Sequence, residues 1–248
     1  MGNPVVHFDL TGPEAELTAK FYGELFGWHI QSVPVPQGTY HLIDTHAGKG
    51  INGGIMQTSE GQQPFATVYA EVDDIRATLD KAEKLGAKTV VPVTAMEMVT
   101  FALFTDPDGN VIGLVQSDPS QQGPGVSPGD NPPVSWFEIL GSNPKQAWSF
   151  YGDLFGWKVE DISAEGYTYG QIDASAGKGI PGGIGSSPDG QPHVNVYATV
   201  DNLQRYLDRA ESLGGKPIVP PTDMGGVQFA LLGDPQGTGF GLVLPPTT

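Results

Sequence analysis

The octapeptide FYGELFGW at 21–28 returns as FYGDLFGW at 150–157, 129 residues further on in a chain of 248. At the same offset VHFDL (6–10) aligns with SWFEI (135–139), and AGKGINGGI (47–55) with AGKGIPGGI (176–184). After one deletion VYAEVDDI (68–75) meets VYATVDNL (196–203), and TFALFTDPDGN (100–110) meets QFALLGDPQGT (228–238). Matches running in order along the whole chain identify a tandem duplication, so whatever fold forms must form twice. The expected organisation is a first domain over 1–117, a Pro/Gly-rich linker over 118–133 and a second domain over 134–248. Each copy is long enough to bury its own core.

Each copy divides again. Phe21, Tyr22, Leu25 and Phe26, like Ala147, Phe150, Tyr151, Leu154 and Phe155, recur at helical spacing, and Gly27 and Gly156 are placed as left-handed caps. A second stripe in each copy runs from Ile75 to Leu85 and from Leu203 to Leu213, with Asp73 and Asp201 as expected N-caps. Short strand patterns precede each helix, and three more follow it. The turns Asp106–Gly109 and Asp234–Gly237 lead into the last strands VIGLV and GFGLV. Strand, helix, strand, strand, strand, four times over, predicts an α+β chain of four βαβββ modules forming half-open barrels with the helices outside.

The net charge of −16, with only 12 Lys and Arg, excludes a phosphate-backbone partner, so no nucleic acid is expected. No apolar run approaches a membrane span and no leader pattern opens the chain, so we expect no membrane partner and a cytoplasmic location. The absence of cysteine removes thiol nucleophiles and thiolate metal sites. AGKGINGGI and AGKGIPGGI lack the ending of a phosphate-binding loop and read better as hairpins.

The module order, the FYxxLFGW helix ending and the DPxGN turn resemble the vicinal oxygen chelate superfamily, also called the glyoxalase/bleomycin resistance/dioxygenase proteins. The tandem acidic chain is similar to two-domain glyoxalase-like proteins of actinobacteria. The resemblance implies inward metal ligands on the first strand of a module pair, on the strand opening its second module and on the last strand. Carried over by position, these are His7, Thr67 and Gly113 in the first copy, and Trp136, Asn195 and Gly241 in the second. Glycine supplies no side-chain donor, so the expected cofactor is none, with a divalent metal as the alternative.

Strand alternation offers another reading. It turns His7 and Asp9, and Trp136 and Glu138, inward on the first strands. It does the same for Phe65, Thr67 and Tyr69, and for His193, Asn195 and Tyr197, on the strands opening the second modules. Aromatic walls with a few polar groups suit a flat organic ligand. Inward carboxylates beside a histidine suit general-base chemistry, which makes His7, Asp9 and Glu138 the candidate catalytic groups. The expected function is metal-independent sequestration or conversion of a small aromatic or polyketide-like molecule. Its alternative is a metal-dependent lyase, isomerase or dioxygenase with an atypical ligand set around His7. The expected assembly is a monomer with an internal pseudo-dimer, or a homodimer.

Overall fold

The computed structural model describes residues 2–36, 38–96, 99–117, 125–174 and 177–245. Four repeats of one module follow each other. The first is β1 (Val5–Gly12), α1 (Ala15–Phe26), β2 (His29–Val35), β3 (Gly38–Asp44) and β4 (Asn52–Gln57). The second is β5 (Ala66–Glu71), α2 (Ile75–Lys84), β6 (Lys88–Ala95), β7 (Val99–Thr105) and β8 (Val111–Ser117). The second copy repeats the order with β9 (Val134–Gly141), α3 (Pro144–Phe155), β10 (Val159–Asp161), β11 (Tyr169–Ile172) and β12 (Gly182–Ser186). It closes with β13 (His193–Thr199), α4 (Leu203–Ser212), β14 (Lys216–Met224), β15 (Val227–Gly233) and β16 (Gly239–Val243).

The strands form two eight-stranded sheets, β2-β3-β4-β1-β5-β8-β7-β6 and β10-β11-β12-β9-β13-β16-β15-β14. The closing strand of a module returns parallel to its opening strand, as in β12 on β9 and β8 on β5. Such a parallel return requires a crossover, and the helix supplies it. The chain is thus α+β, as the periodicity predicts.

Two compact units each take one module from each copy. One comprises Met1–His7, Thr67–Gly125 and Trp136–Val194, and the other Phe8–Ala66, Val126–Ser135 and Asn195–Thr248. In the first unit α2 packs on α3, and the buried aromatics Phe104, Phe137, Phe150, Tyr151, Phe155 and Trp157 form its core. The Trp157 ring lies 4.9 Å from Phe155 and 5.4 Å from Tyr151, centroid to centroid. In the second unit α1 packs on α4 around Phe8, Tyr22, Phe26, Trp28 and Phe240. Aromatic pairs at these separations add to the stabilisation that burial alone provides.

The recurring octapeptide has a structural explanation. Gly27 and Gly156 end their helices in the left-handed conformation, and the tryptophan that follows donates its indole N–H to the backbone just ahead of the other copy's first strand. Trp157 Nε1 donates to Asn3 O at 2.8 Å in the first unit, and Trp28 Nε1 to Pro132 O at 2.9 Å in the second. The two AGKGI segments act in the same reciprocal way. Ile180 N donates to Val5 O and Ile51 N to Val134 O, both at 3.1 Å. Gly179 and Gly50, at φ +82° and +81°, sit where a Cβ would overlap those carbonyls. The segments are backbone clasps, although Ala176, which opens the second, lies outside the described residues. So do residues 118–124 of the expected linker. Its later part is tied down, with Ser127 N donating to Asp44 Oδ1 and Asn131 Nδ2 to Gly27 O.

Helix starts differ from the sequence expectation by one residue. Asp74 and Asn202, not Asp73 and Asp201, cap α2 and α4, accepting from Ala77 N and Arg205 N. Both members of each neighbouring pair are good acceptors, so the pattern alone does not choose between them. No side chain of their own caps α1 or α3. Instead Asp108 accepts from Ser142 N at 2.5 Å and Asn143 N at 3.2 Å in one unit. In the other unit Gln236 Oε1 accepts from Glu14 N at 2.6 Å. Each DPxG turn therefore caps the helix of the other copy. Asp108→Ala is expected to cost about 1–2 kcal/mol, read as a lower urea midpoint. Gln236→Ala is expected to cost less, because a neutral amide gains nothing from the helix dipole.

Candidate functional site

Phe8 and Leu10 on β1, and Phe137 and Ile139 on β9, are buried on the helix side, with Phe8 against Trp28 and Phe137 against Trp157. The strand period therefore turns His7, Asp9, Trp136 and Glu138 to the opposite face. On that face of the second copy three groups meet. Tyr169 Oη donates to Glu138 Oε1 at 2.8 Å, and Trp136 Nε1 donates to Tyr169 Oη at 3.3 Å. Tyr167 stacks on Tyr169, with centroids 5.7 Å apart and planes 20° from parallel. In the first copy Tyr40 Oη donates to Asp9 Oδ1 at 2.6 Å. Tyr40 and Tyr169, like Asp9 and Glu138, are repeat partners, so the tyrosine–carboxylate pair is itself duplicated.

Glycine lets these rings lie flat on the sheet. A Cβ at Gly54 would overlap Tyr40, and one at Gly183 would overlap Tyr169. Burial and the charge of Glu138 push the phenols of Tyr169 and Tyr167 well above their ordinary value. Tyr169 therefore stays protonated near neutrality and acts as a donor, never as a phenolate. The Trp136–Tyr169–Glu138 chain ends on a carboxylate whose orientation is held by a neutral hydroxyl. Such a chain of donors strengthens each of its links.

The remaining expected residues fall as follows. His7 meets Tyr69 edge-on at 5.6 Å. Thr67 is buried, and its hydroxyl donates to Val111 O at 2.7 Å. Phe65 lies just ahead of β5, its carbonyl accepting from Thr11 N and Oγ1. Asn195 and Tyr197 are buried on β13, and His193 Nδ1 lies 3.0 Å from Gln191 O. Tyr40, Tyr167 and Tyr169 were not among the sequence candidates. The signal for two of them is the match of YHLID (40–44) to YGQID (169–173).

The copies differ in what surrounds the pair. Trp136 corresponds to His7, and Tyr167 to Gly38. Three rings border Glu138, whereas one ring and an imidazole occupy the equivalent positions on the β1 side.

Of the positions that the resemblance assigns to a metal, His7 offers an imidazole, but the two last-strand positions offer no donor. Gly113 and Gly241 offer no side chain, and a Cβ there would overlap the rings of Tyr69 and Tyr197. The place of a last-strand carboxylate is filled by carbon. Thr67 is bonded to backbone, and among the described residues no three His, Cys, Asp or Glu are grouped to hold a metal ion. Nor is any helix among them long and apolar enough to cross a membrane.

Comparison with known proteins agrees with the fold. The model of the Glyoxalase/Bleomycin resistance protein/Dioxygenase superfamily matches residues 5–114 and 134–242. CFP32 of Mycobacterium tuberculosis, which carries the name of a glyoxylase, is 30% identical over 246 residues, covering 96% of this chain and 93% of that protein. The anthracycline biosynthesis protein DnrV of Streptomyces peucetius is 28% identical over 262 residues, covering 95% and 91%. Among solved structures, the Mn(II)-bound glyoxalase of Novosphingobium aromaticivorans superposes with a TM-score of 0.68 at 16% identity, covering 99% of this chain and 83% of that one. The 2,3-dioxygenase LapB of Pseudomonas sp. KL28 gives 0.69 at 15% identity, covering 100% and 94%. With both copies matched nearly end to end, the chain belongs to the glyoxalase/bleomycin resistance/dioxygenase superfamily, in two tandem domains.

Proposed function

We propose that this protein binds a small, flat aromatic or polyketide-like molecule without a metal, on the face built by Trp136, Glu138, Tyr167 and Tyr169. The observation that carries the reading is the convergence of three rings on one oriented carboxylate in the second copy. Aromatic faces supply large contact area at low entropy cost, and the carboxylate fixes a donor of the ligand. The likeness to a protein named for anthracycline biosynthesis supports this choice, since anthracyclines are polycyclic aromatic polyketides. Sequestration needs only this face. Metal-free conversion would use Glu138, or Asp9 beside His7, to accept a proton from an acidic C–H or phenol.

A second reading, a metal-dependent lyase, isomerase or dioxygenase centred on His7, is favoured by the Mn(II)-bound glyoxalase and the dioxygenase among the structural neighbours. The two are separated by titrating the protein with 9-(hydroxymethyl)anthracene and following tryptophan fluorescence. The proposal expects saturable binding that Trp136→Ala weakens about tenfold, the loss of ~1.4 kcal/mol of ring contact. His7→Ala should leave that binding within about twofold, a change too small to count as a lost contact. If binding survives Trp136→Ala and fails in His7→Ala, the second reading stands instead.

A further inference from the structure

We infer that Tyr167 is a cover over the ligand face, and that the hairpin carrying it opens to admit the ligand. This rests on the aromatic-binding reading above and adds how the ligand gains access to Tyr169.

Tyr169 is fixed at both ends of its ring. A Cβ at Gly183 would overlap its hydroxyl end and one at Gly185 its Cδ2 edge, so the ring lies on the sheet. Its hydroxyl donates to Glu138 Oε1 at 2.8 Å and accepts from Trp136 Nε1 at 3.3 Å. Tyr167 is held differently, by its stack on that ring with centroids 5.7 Å apart and by a backbone bridge to Ala164. A flat molecule stacking on Tyr169 therefore takes the place that Tyr167 holds.

The hairpin that delivers Tyr167 is loosely paired. In the first copy β2 and β3 pair over seven residues, from His29↔Asp44 to Val35↔Gly38. In the second copy the pairing of β10 with β11 stops after three, at Asp161↔Gly170. Beyond it side chains replace part of the ladder, with Tyr169 N donating to Ser163 Oγ at 3.0 Å and Thr168 N to Ser186 Oγ at 3.3 Å. Residues 162–166 are exposed, while Tyr167 beyond them is half-buried. A segment with little buried surface and few ladder bonds opens at low cost. The first copy has Gly38 in place of Tyr167, so the cover belongs to the second copy alone.

Ligand and Tyr167 compete for one ring. The apparent affinity is then the intrinsic one reduced by the fraction of chains whose hairpin is open. An aromatic stack of this kind favours the closed form by about three- to tenfold.

The test is the titration with 9-(hydroxymethyl)anthracene, repeated on variants of the intact chain. Tyr167→Gly, which installs the residue of the first copy, is expected to bind the probe about three- to tenfold tighter than the parent chain. Tyr167→Ala should do the same with a less flexible tip. The gain should vanish without Tyr169, so that Tyr167→Gly combined with Tyr169→Ala binds no tighter than Tyr169→Ala alone. Weaker or unchanged binding in Tyr167→Gly and Tyr167→Ala would overturn the inference, making Tyr167 a fixed wall, and leave the aromatic-binding reading intact. A gain that persists without Tyr169 would also overturn it, since Tyr167 would then be covering something else. Failure of the probe to bind the parent chain and every variant would overturn both.

Discussion

Gly113→Ala should be among the most damaging single-methyl additions in this protein. Alanine in place of a strand glycine ordinarily gains about 0.5–1 kcal/mol through reduced entropy of the unfolded chain. Here the new Cβ would overlap the part of the Tyr69 ring nearest its own backbone, which cannot swing aside without moving β5. Overpacking of this kind costs about 1–3 kcal/mol, so the net effect should be a clear loss of stability and a lower urea midpoint. Gly241→Ala should behave alike through Tyr197. Combining Gly113→Ala with Tyr69→Ala should cost less than the sum of the two single changes, since removing the ring removes the overlap. Strict additivity would mean that the ring does not hold this place. Gly113→Glu, meant to rebuild the superfamily carboxylate, should destabilise rather than create a metal site.

A second contrast should appear between two tyrosines that are repeat partners. Tyr151 is fully buried and donates to Asp106 Oδ2 at 2.8 Å. Tyr22 is equally buried, but its hydroxyl and Asp234 Oδ2 have no hydrogen-bond partner among the described residues. Hydrogen bonds to charged groups contribute about 1.5–3 kcal/mol, so Tyr151→Phe should destabilise by about that much. Tyr22→Phe removes a buried hydroxyl that makes no bond, and should be neutral or stabilising. Equal losses in the two variants would show that the partners are bonded alike. The same asymmetry has a pH signature. Burial holds Asp234 above the ordinary carboxylate range, so the folded chain binds its proton more tightly than the unfolded chain does. Ionisation of Asp234 therefore weakens the fold as pH rises through the window just above that range, and acid relieves the penalty. Asp234→Asn should flatten that part of the stability profile.

Much of this architecture is legible in the sequence because local rules fix it. Apolar stripes ending in Gly27 and Gly156, and DPxG turns before β8 and β16, act over a few residues and recur at a fixed offset. What the sequence hides depends on neighbours distant along the chain. Gly113 and Gly241 read as lost metal ligands, but that Tyr69 and Tyr197 cover them follows only from the pairing of β5 with β8 and β13 with β16. The caps on α3 and α1 come from residues 34 and 222 positions away, beyond any local pattern. Tyr167 and Tyr169 sit on and beside the four-residue strand β11, too short for alternation to assign a face. The face of Trp136 and Glu138 is legible because β9 runs for eight residues, and these two half-buried side chains alternate with the buried Phe137 and Ile139.

The central claim, ligand binding by an aromatic face without a metal, is tested most directly by one titration. Chelator-treated protein, its metal content measured, is titrated with 9-(hydroxymethyl)anthracene with and without added Mn(II) or Fe(II). The account predicts the same affinity in every case, lost on Trp136→Ala. About one tightly held metal per chain, with binding abolished by chelation and by His7→Ala, would contradict it.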